Sequence, residues 1–326
     1  MNAAKKKKDH RCVMIVLVTE KPIKDCLEKL LDTIDDFIKL VSIDHQHELN
    51  EQRLSVVPDM TPKTMERSLY SEEYWSEIKE KMRRNPDIFV MCDWDIVAKG
   101  KLWKKPNIDF RVNMGPVEPL QPRIFMHGNS ITIWLAKEIY EDLLPLGFLS
   151  WINKLAEVIG AMAGFVDYTA FGCYLLFSEM MGMSSYTAAK NYEKHGLQTA
   201  IGYFWRTLIT GAQIDTLGGM ESILCNAPCS SVDIVQREDE PAVWLQMTGN
   251  LLDTTPADRL RLREYLQPVL PELDMYRVAY AVIYDKKADL TVLTSEEKKK
   301  IKELAMPNYA DFMQRYKQNR AEKMLD

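Results

Sequence analysis

Leu197-Gln198-Thr199-Ala200-Ile201-Gly202-Tyr203-Phe204-Trp205-Arg206-Thr207-Leu208-Ile209, followed by Leu217-Gly218-Gly219 and Ala227-Pro228-Cys229, is the stretch on which the fold turns. Residues 201–209 carry aromatic and β-branched side chains that suit a pleated, half-buried surface, so they predict a strand. Residues 211–217 predict a helical turn or two, ended by Gly218-Gly219. Pro228-Cys229 reads as a turn. The stretch holds no set of groups that does chemistry, and reads as scaffold.

Toward the C-terminus, Val232 to Gln236 and Ala242 to Met247 predict a hairpin. Its loop is Arg237-Glu238-Asp239-Glu240-Pro241. Four charges at a turn face water, and such a loop also suits a basic cleft on a partner. Thr255-Pro256-Ala257-Asp258 is a helix start, with Thr at the cap, Pro at the first position and an acid at the third. Leu262, Leu266 and Leu270 form its apolar face. Val278 to Tyr284 predicts a short last strand. Ser295-Glu296-Glu297 opens a charged helix, Pro307 interrupts or ends it, and a final helix runs from Tyr309.

Toward the N-terminus, residues 172–195 gather Met180, Met181 and Met183 beside Tyr174, Phe177, Tyr186 and Tyr192. They suit a soft core, or else an adaptable exposed patch. Gly164 to Phe171 and Ser130 to Leu135 predict strands. Between them Leu149, Ile152, Leu155, Ala156, Ile159 and Met162 recur at helical spacing, with Ser150 as the expected cap. The chain's beginning has the same order. Cys12 to Val18 predicts a central strand, Pro22 suits a first helical turn, and Ile23, Leu27, Leu30, Leu31, Ile34, Ile38 and Val41 mark an apolar helix face. Asp35 and Asp36 lie off that face, as solvated acids or as part of an acidic contact surface. Residues 44–60 are polar and poorly periodic. Residues 62–84 predict a helix, with Met65, Leu69, Trp75, Ile78 and Met82 as apolar contacts. Residues 88–97 and 108–114 predict an antiparallel strand pair. Strand, long helix and strands thus occur twice. The expected fold is α+β, in two similarly built halves, each with a mainly antiparallel sheet covered by helices. Residues 1–10 are expected to be a disordered basic tail, 11–120 the first half and 121–326 the second, packed as one compact unit.

The 326 residues are 46% hydrophobic, enough for one large core or two ordinary ones. A formal net charge of −5, from 42 basic and 47 acidic residues, keeps a protein soluble and gives no general attraction to nucleic acid. No apolar run reaches the roughly 18 residues of a membrane span. Lys5 to Lys8 precede a short apolar run, but no small-residue cleavage site follows, so a strand is expected there rather than a signal peptide, and the cytoplasm as compartment.

Candidate chemistry is sparse. His45 and His47 share a strand face but lack a third ligand nearby. Cys225 and Cys229 have no second pair at zinc spacing and are expected to be buried or partly buried thiols. Nucleotide and esterase fingerprints are absent. Asp93 and Asp95 flank Trp94 on one face of a predicted strand and, with His127, form the candidate set for an enzyme with a non-local site. Lys99, Lys101, Trp103, Lys104 and Lys105 make the most nucleic-acid-like patch, without a module motif around it. No cofactor is expected. A structural or scaffold role for the methionine-rich segment is the third alternative.

Residues 128–270 resemble the type VI secretion immunity-protein family, formerly a domain of unknown function. The strand Ile131-Thr132-Ile133-Trp134-Leu135, the helix near Trp151 to Ile159, and Gly164-Phe165-Val166-Asp167-Tyr168-Thr169-Ala170-Phe171-Gly172 carry the likeness. Gly196, Gly202, Trp205, Leu217, Gly218 and Gly219, then Pro228-Cys229 and Val243 to Met247, continue it. The resemblance implies an antidote that binds a cognate effector toxin in its own cell, several relatives being paired with nuclease-type toxins. It implies structural work for Gly202, Trp205, Gly218 and Gly219. An acidic surface suits a nucleic-acid-binding cleft on such a toxin. Glu238, Asp239, Glu240, Asp35 and Asp36 are therefore the candidate toxin contacts. No direct nucleic-acid or membrane partner is expected, and a homodimer is allowed on general frequency.

Overall fold

Val13, Ile15 and Leu17 are fully buried, and so, nearly, are Met14 and Val16 between them. A strand buried on both faces belongs inside a sheet. In the computed structural model it is β1 (Arg11–Thr19). The structure describes residues 11–19, 21–42, 48–57, 66–69, 72–84, 89–97, 108–113, 129–170, 200, 202–237, 240–270, 275–276, 279, 293–305 and 309–325. The basic tail, the boundary near residue 120 and the methionine-rich segment lie outside them, as does nearly all of the strand expected over 278–284.

After β1 come α1 (Leu27–Ser42), β2 (Glu48–Val57), β3 (Glu66–Leu69), α2 (Glu72–Arg84), β4 (Phe89–Val97), β5 (Ile108–Asn113) and β6 (Asn129–Ala136). Then follow α3 (Lys137–Leu143), α4 (Phe148–Val158), β7 (Ala163–Ala170), β8 (Arg206–Thr210), α5 (Gly211–Thr216) and α6 (Met220–Asn226). The remaining elements are β9 (Ser231–Val235), β10 (Ala242–Gln246), α7 (Pro256–Leu266), α8 (Ser295–Ala305) and α9 (Tyr309–Leu325).

The expectation of two similarly built halves, each with its own sheet, is overturned. All ten described strands belong to one sheet, in the order β3-β2-β4-β5-β6-β1-β7-β8-β10-β9. The two strand–helix openings that suggested a repeat are neighbours in it: β1 runs antiparallel to β6, from Cys12 opposite Ala136 to Thr19 opposite Asn129. β6 then pairs with β5, β5 with β4, and β4 with β2, all antiparallel. The likeness of the two openings has a local cause. Each is an apolar strand leading into an amphipathic helix, and that pattern says nothing about which strands will be neighbours.

The chain divides into two compact units, residues 1–117, 128–161 and 166–171 in one and 118–127, 162–165 and 172–326 in the other. In the first, α1 buries Leu27, Leu30, Leu31, Ile34, Phe37, Ile38 and Val41. Phe37 lies 6.0 Å from Phe110 of β5 and 4.7 Å from Trp151 of α4 between ring centroids, so α1 and α4 cover the sheet side by side. Trp151 stacks on Phe148 at 5.6 Å, and its Nε1–H donates to the Thr33 carbonyl at 2.8 Å. A buried indole needs such an acceptor. Helix α4 starts at Phe148, not at the expected cap Ser150, because Gly147 takes the preceding position with φ +88°. The helix expected over 62–84 is only α2, and β3 occupies 66–69. Trp75, Ile78 and Met82 are buried as its spacing predicts.

In the second unit β8 and β10 are buried along their whole length. β10 pairs antiparallel with β8 on one side and β9 on the other, which makes the expected hairpin. Thr255 and Asp258 close a reciprocal capping box at the start of α7, with Pro256 at its first position.

Candidate functional site

Strand β8 starts at Arg206, and the aromatic residues before it, Tyr203, Phe204 and Trp205, are buried outside any strand. The polar groups of Phe204 and Trp205 are met locally. Trp205 Nε1–H donates to both the carbonyl and the hydroxyl of Thr248 at 3.1 Å, and the Phe204 amide donates to the Thr207 hydroxyl at 2.9 Å. Phe204 stacks on Phe165 with centroids 3.9 Å apart. The Arg263 guanidinium lies 5.6 Å from the Tyr203 ring centroid, and burial pushes the Tyr203 phenol up to about 12. A phenol at that value holds its proton throughout the physiological range.

Arg206 is fully buried. Its guanidinium lies 4.9 Å from the Trp244 ring centroid and pairs with Asp233 of β9. Register explains the constellation: Arg206 is opposite Gln246, and Asp233 opposite Trp244, so the cation, the indole and the carboxylate lie on one face of three adjacent strands. The group ties three strands together through a desolvated charge; it has the make-up of a structural ion pair.

At the two glycines, the Gly219 amide donates to Ile214 at 2.9 Å and the Gly218 amide to Asp215 at 3.0 Å, ending α5. Gly218 has φ +92°. Gly219 has φ +87° and ψ 171°, a conformation open essentially to glycine alone, and it also caps α6. Cys229, beyond α6, has its thiol pushed up to about 12 by burial. Cys225 is exposed rather than buried or half-buried.

The proposed contact acids fall in two places. Asp35 accepts from Trp75 Nε1 at 2.5 Å and pairs with Lys79 at 2.8 Å, both on α2. Asp36 pairs with Lys154 of α4 at 2.7 Å and more loosely with Lys39 at 3.4 Å, and the Lys154 ammonium holds its carboxyl below the usual range. Glu28 makes a two-pronged pair with Arg83 of α2 at 2.8 Å. These acids of α1 therefore staple it to its neighbouring helices. In the hairpin loop Glu240 is exposed at the start of α5, where a Cβ added to Gly211 would run into its carboxylate. Glu238 and Asp239 lie outside the described residues.

Asp93 and Asp95 are both in β4, Asp93 opposite Arg53 of β2 and Asp109 of β5, and Asp95 opposite Glu51. His127, His45, His47 and the patch from Lys99 to Lys105 lie outside the described residues. Among the described residues no three His, Cys, Asp or Glu side chains gather as a metal would need, and no helix is long and apolar enough to cross a membrane.

Charge is unevenly distributed along the chain. Between Arg206 and Arg259 the only base is Arg237, against Asp215, Glu221, Asp233, Glu238, Asp239, Glu240, Asp253 and Asp258. Residues 207–258 therefore carry −7, and the other 274 residues together +2. The chain's negative charge belongs to α5, α6, β9, the hairpin loop, and the stretch from β10 to the first turn of α7.

No protein-family profile and no curated protein matches the chain. The solved structures give a different answer. The chain shares its fold with the Pseudomonas aeruginosa T6SS protein PA0821. The alignment spans 91% of this chain and 88% of that one, at a TM-score of 0.55 and 15% sequence identity. At that identity the likeness is one of fold, and the surfaces are free to differ.

Proposed function

We propose that the chain is an immunity protein that binds a cognate type VI secretion effector in the cytoplasm and blocks it by covering its active site or substrate cleft. The observation that carries this is the shared fold with a T6SS protein over nine-tenths of the chain. The −7 balance of residues 207–258 supports it, because such a segment complements a cleft built to hold a phosphate backbone, and so suits a nuclease toxin. Glu238, Asp239 and Glu240 are the first candidates for contact. Asp35 and Asp36 come second, since binding there would compete with Lys79 and Lys154.

The test is co-expression with the product of the adjoining gene. The expected result is a stable one-to-one complex and restored growth of cells that the product alone kills. Absence of both complex and rescue overturns the proposal.

A further inference from the structure

β9 is the last strand in the sheet order, and no described strand pairs with its outer edge. An edge of this kind offers a row of backbone donors and acceptors to an incoming chain, and proteins ordinarily blunt it. Here it carries Ile234, 48% exposed; with Leu224 of α6, 50% exposed, it is one of two large apolar side chains standing in solvent among the described residues. α6 and β9 are joined by residues 227–230 alone. Ile234 points to one face of β9 and Asp233 to the other. The Asp233 side chain, although paired with Arg206, keeps 36% of its surface exposed.

We propose that the outer edge of β9 is the effector-docking surface, and that its occupant is an extended, basic segment of the effector that adds to the sheet as a further strand. This rests on the immunity reading above and gives it a place and a chemistry. Main-chain hydrogen bonds along Ser231–Val235 supply affinity, and alternate side chains supply choice of partner. Ile234 and Leu224 provide apolar contact, while Asp233 meets a lysine or arginine of the incoming strand. Charge decides between occupants. A second copy of this chain, pairing antiparallel about the centre of β9, would set Asp233 against its own copy and bring two segments of −7 together. A nucleic acid would meet the same repulsion. A basic polypeptide meets attraction, with an on-rate that falls as salt rises.

The experiment measures binding of the full chain to the product of the adjoining gene by titration calorimetry, with hydrogen exchange on the free and bound protein. Ile234→Lys is expected to weaken binding about 30-fold and Leu224→Lys about 10-fold, as for central interface anchors. Lys299→Glu, at an exposed position of α8, leaves it unchanged. Amides of residues 231–235 exchange at least about tenfold more slowly in the complex. Exchange needs no variant, so the surface is tested even where a lysine at 234 disturbs folding. If the unaltered protein does not bind, the immunity reading itself falls. If it binds with β9 exchanging as in the free protein and both lysine variants binding as tightly, that reading stands and the β9 surface is overturned. Self-association that Ile234→Lys abolishes overturns the basic partner in favour of a second copy.

Discussion

Replacing Gly219 by alanine isolates a backbone cost from a packing cost. Its φ of +87° and ψ of 171° lie where a Cβ is disfavoured, and no atom comes within 4 Å of the position that Cβ would take. The whole penalty is therefore conformational, about 1–3 kcal/mol. Alanine also narrows the unfolded ensemble, which returns about 0.4–1 kcal/mol. The net expectation is a loss of about 0–2.6 kcal/mol, and a deficit of about 1–3 kcal/mol against a control that shares the unfolded-state gain. Gly249 is the matched control: it too has open space around its Cβ position, and its φ is outside the positive region. Gly249→Ala should be neutral or more stable by up to about 1 kcal/mol. Urea unfolding of the two variants side by side, followed by far-ultraviolet dichroism, reads the difference as a shift in midpoint at constant slope. If Gly219→Ala unfolds at the same urea concentration as Gly249→Ala, the glycine pair does not hold the α5–α6 junction in the way described.

Other substitutions address the remaining parts. Thr255→Ala removes the hydroxyl half of the α7 capping box, which accepts from the Asp258 amide at 3.3 Å, and should cost about 1 kcal/mol in the same urea assay. Phe37→Ala should cost about 3–5 kcal/mol, whereas Asp36→Asn, on the same helix, should stay within about 1 kcal/mol; equal losses would mean that the α1 ion pairs rather than its apolar face hold the helix down. Burial raises the Glu297 carboxyl, but the Arg263 and Thr294 hydrogen bonds and the Arg263 charge outweigh it, leaving it below the ordinary glutamate value. The stability this gives is present above the unfolded-state value and is lost as pH falls through the folded one. Glu297→Gln should therefore flatten the decline of the urea midpoint below about pH 4.3, and an unchanged slope would refute the coupling.

The elements legible in the sequence were those whose own residues demand them. α1 announces itself because seven apolar side chains recur at helical spacing, and β1 because its apolar run is too short for a buried helix. β2 was not legible: Glu48–Val57 is mostly polar, and it is a strand because β3 and β4 pair with it. β3 was read as helix because Met65, Leu69 and Trp75 suit a helical spacing by chance, and four residues are too few to correct that. Tyr203 to Trp205 look like strand because aromatic side chains favour pleated surfaces, but the hydrogen bond from the Phe204 amide to Thr207 bends the backbone into a local turn. Sheet order was out of reach, since nothing in a strand's composition names its neighbours. For the site, the acids of the hairpin loop were visible individually. Their setting in a nearly base-free stretch was hidden by summing charge over the whole chain, and the exposure of Ile234 depends on β9 ending the sheet order.

The pairing of β1 with β6 also sets an order of events on the ribosome. β1 emerges well before β6, and Cys12 meets Ala136 only after more than a hundred further residues have been made. At about 5–20 residues per second that is a wait of roughly 6–25 s for an apolar, β-branched strand with an open edge. Such a segment is prone to find the wrong partner. Lys5 to Lys8 precede it in the sequence, separated from it by Asp9 and His10. Like charges close to an apolar strand oppose its pairing with a second copy through mutual repulsion.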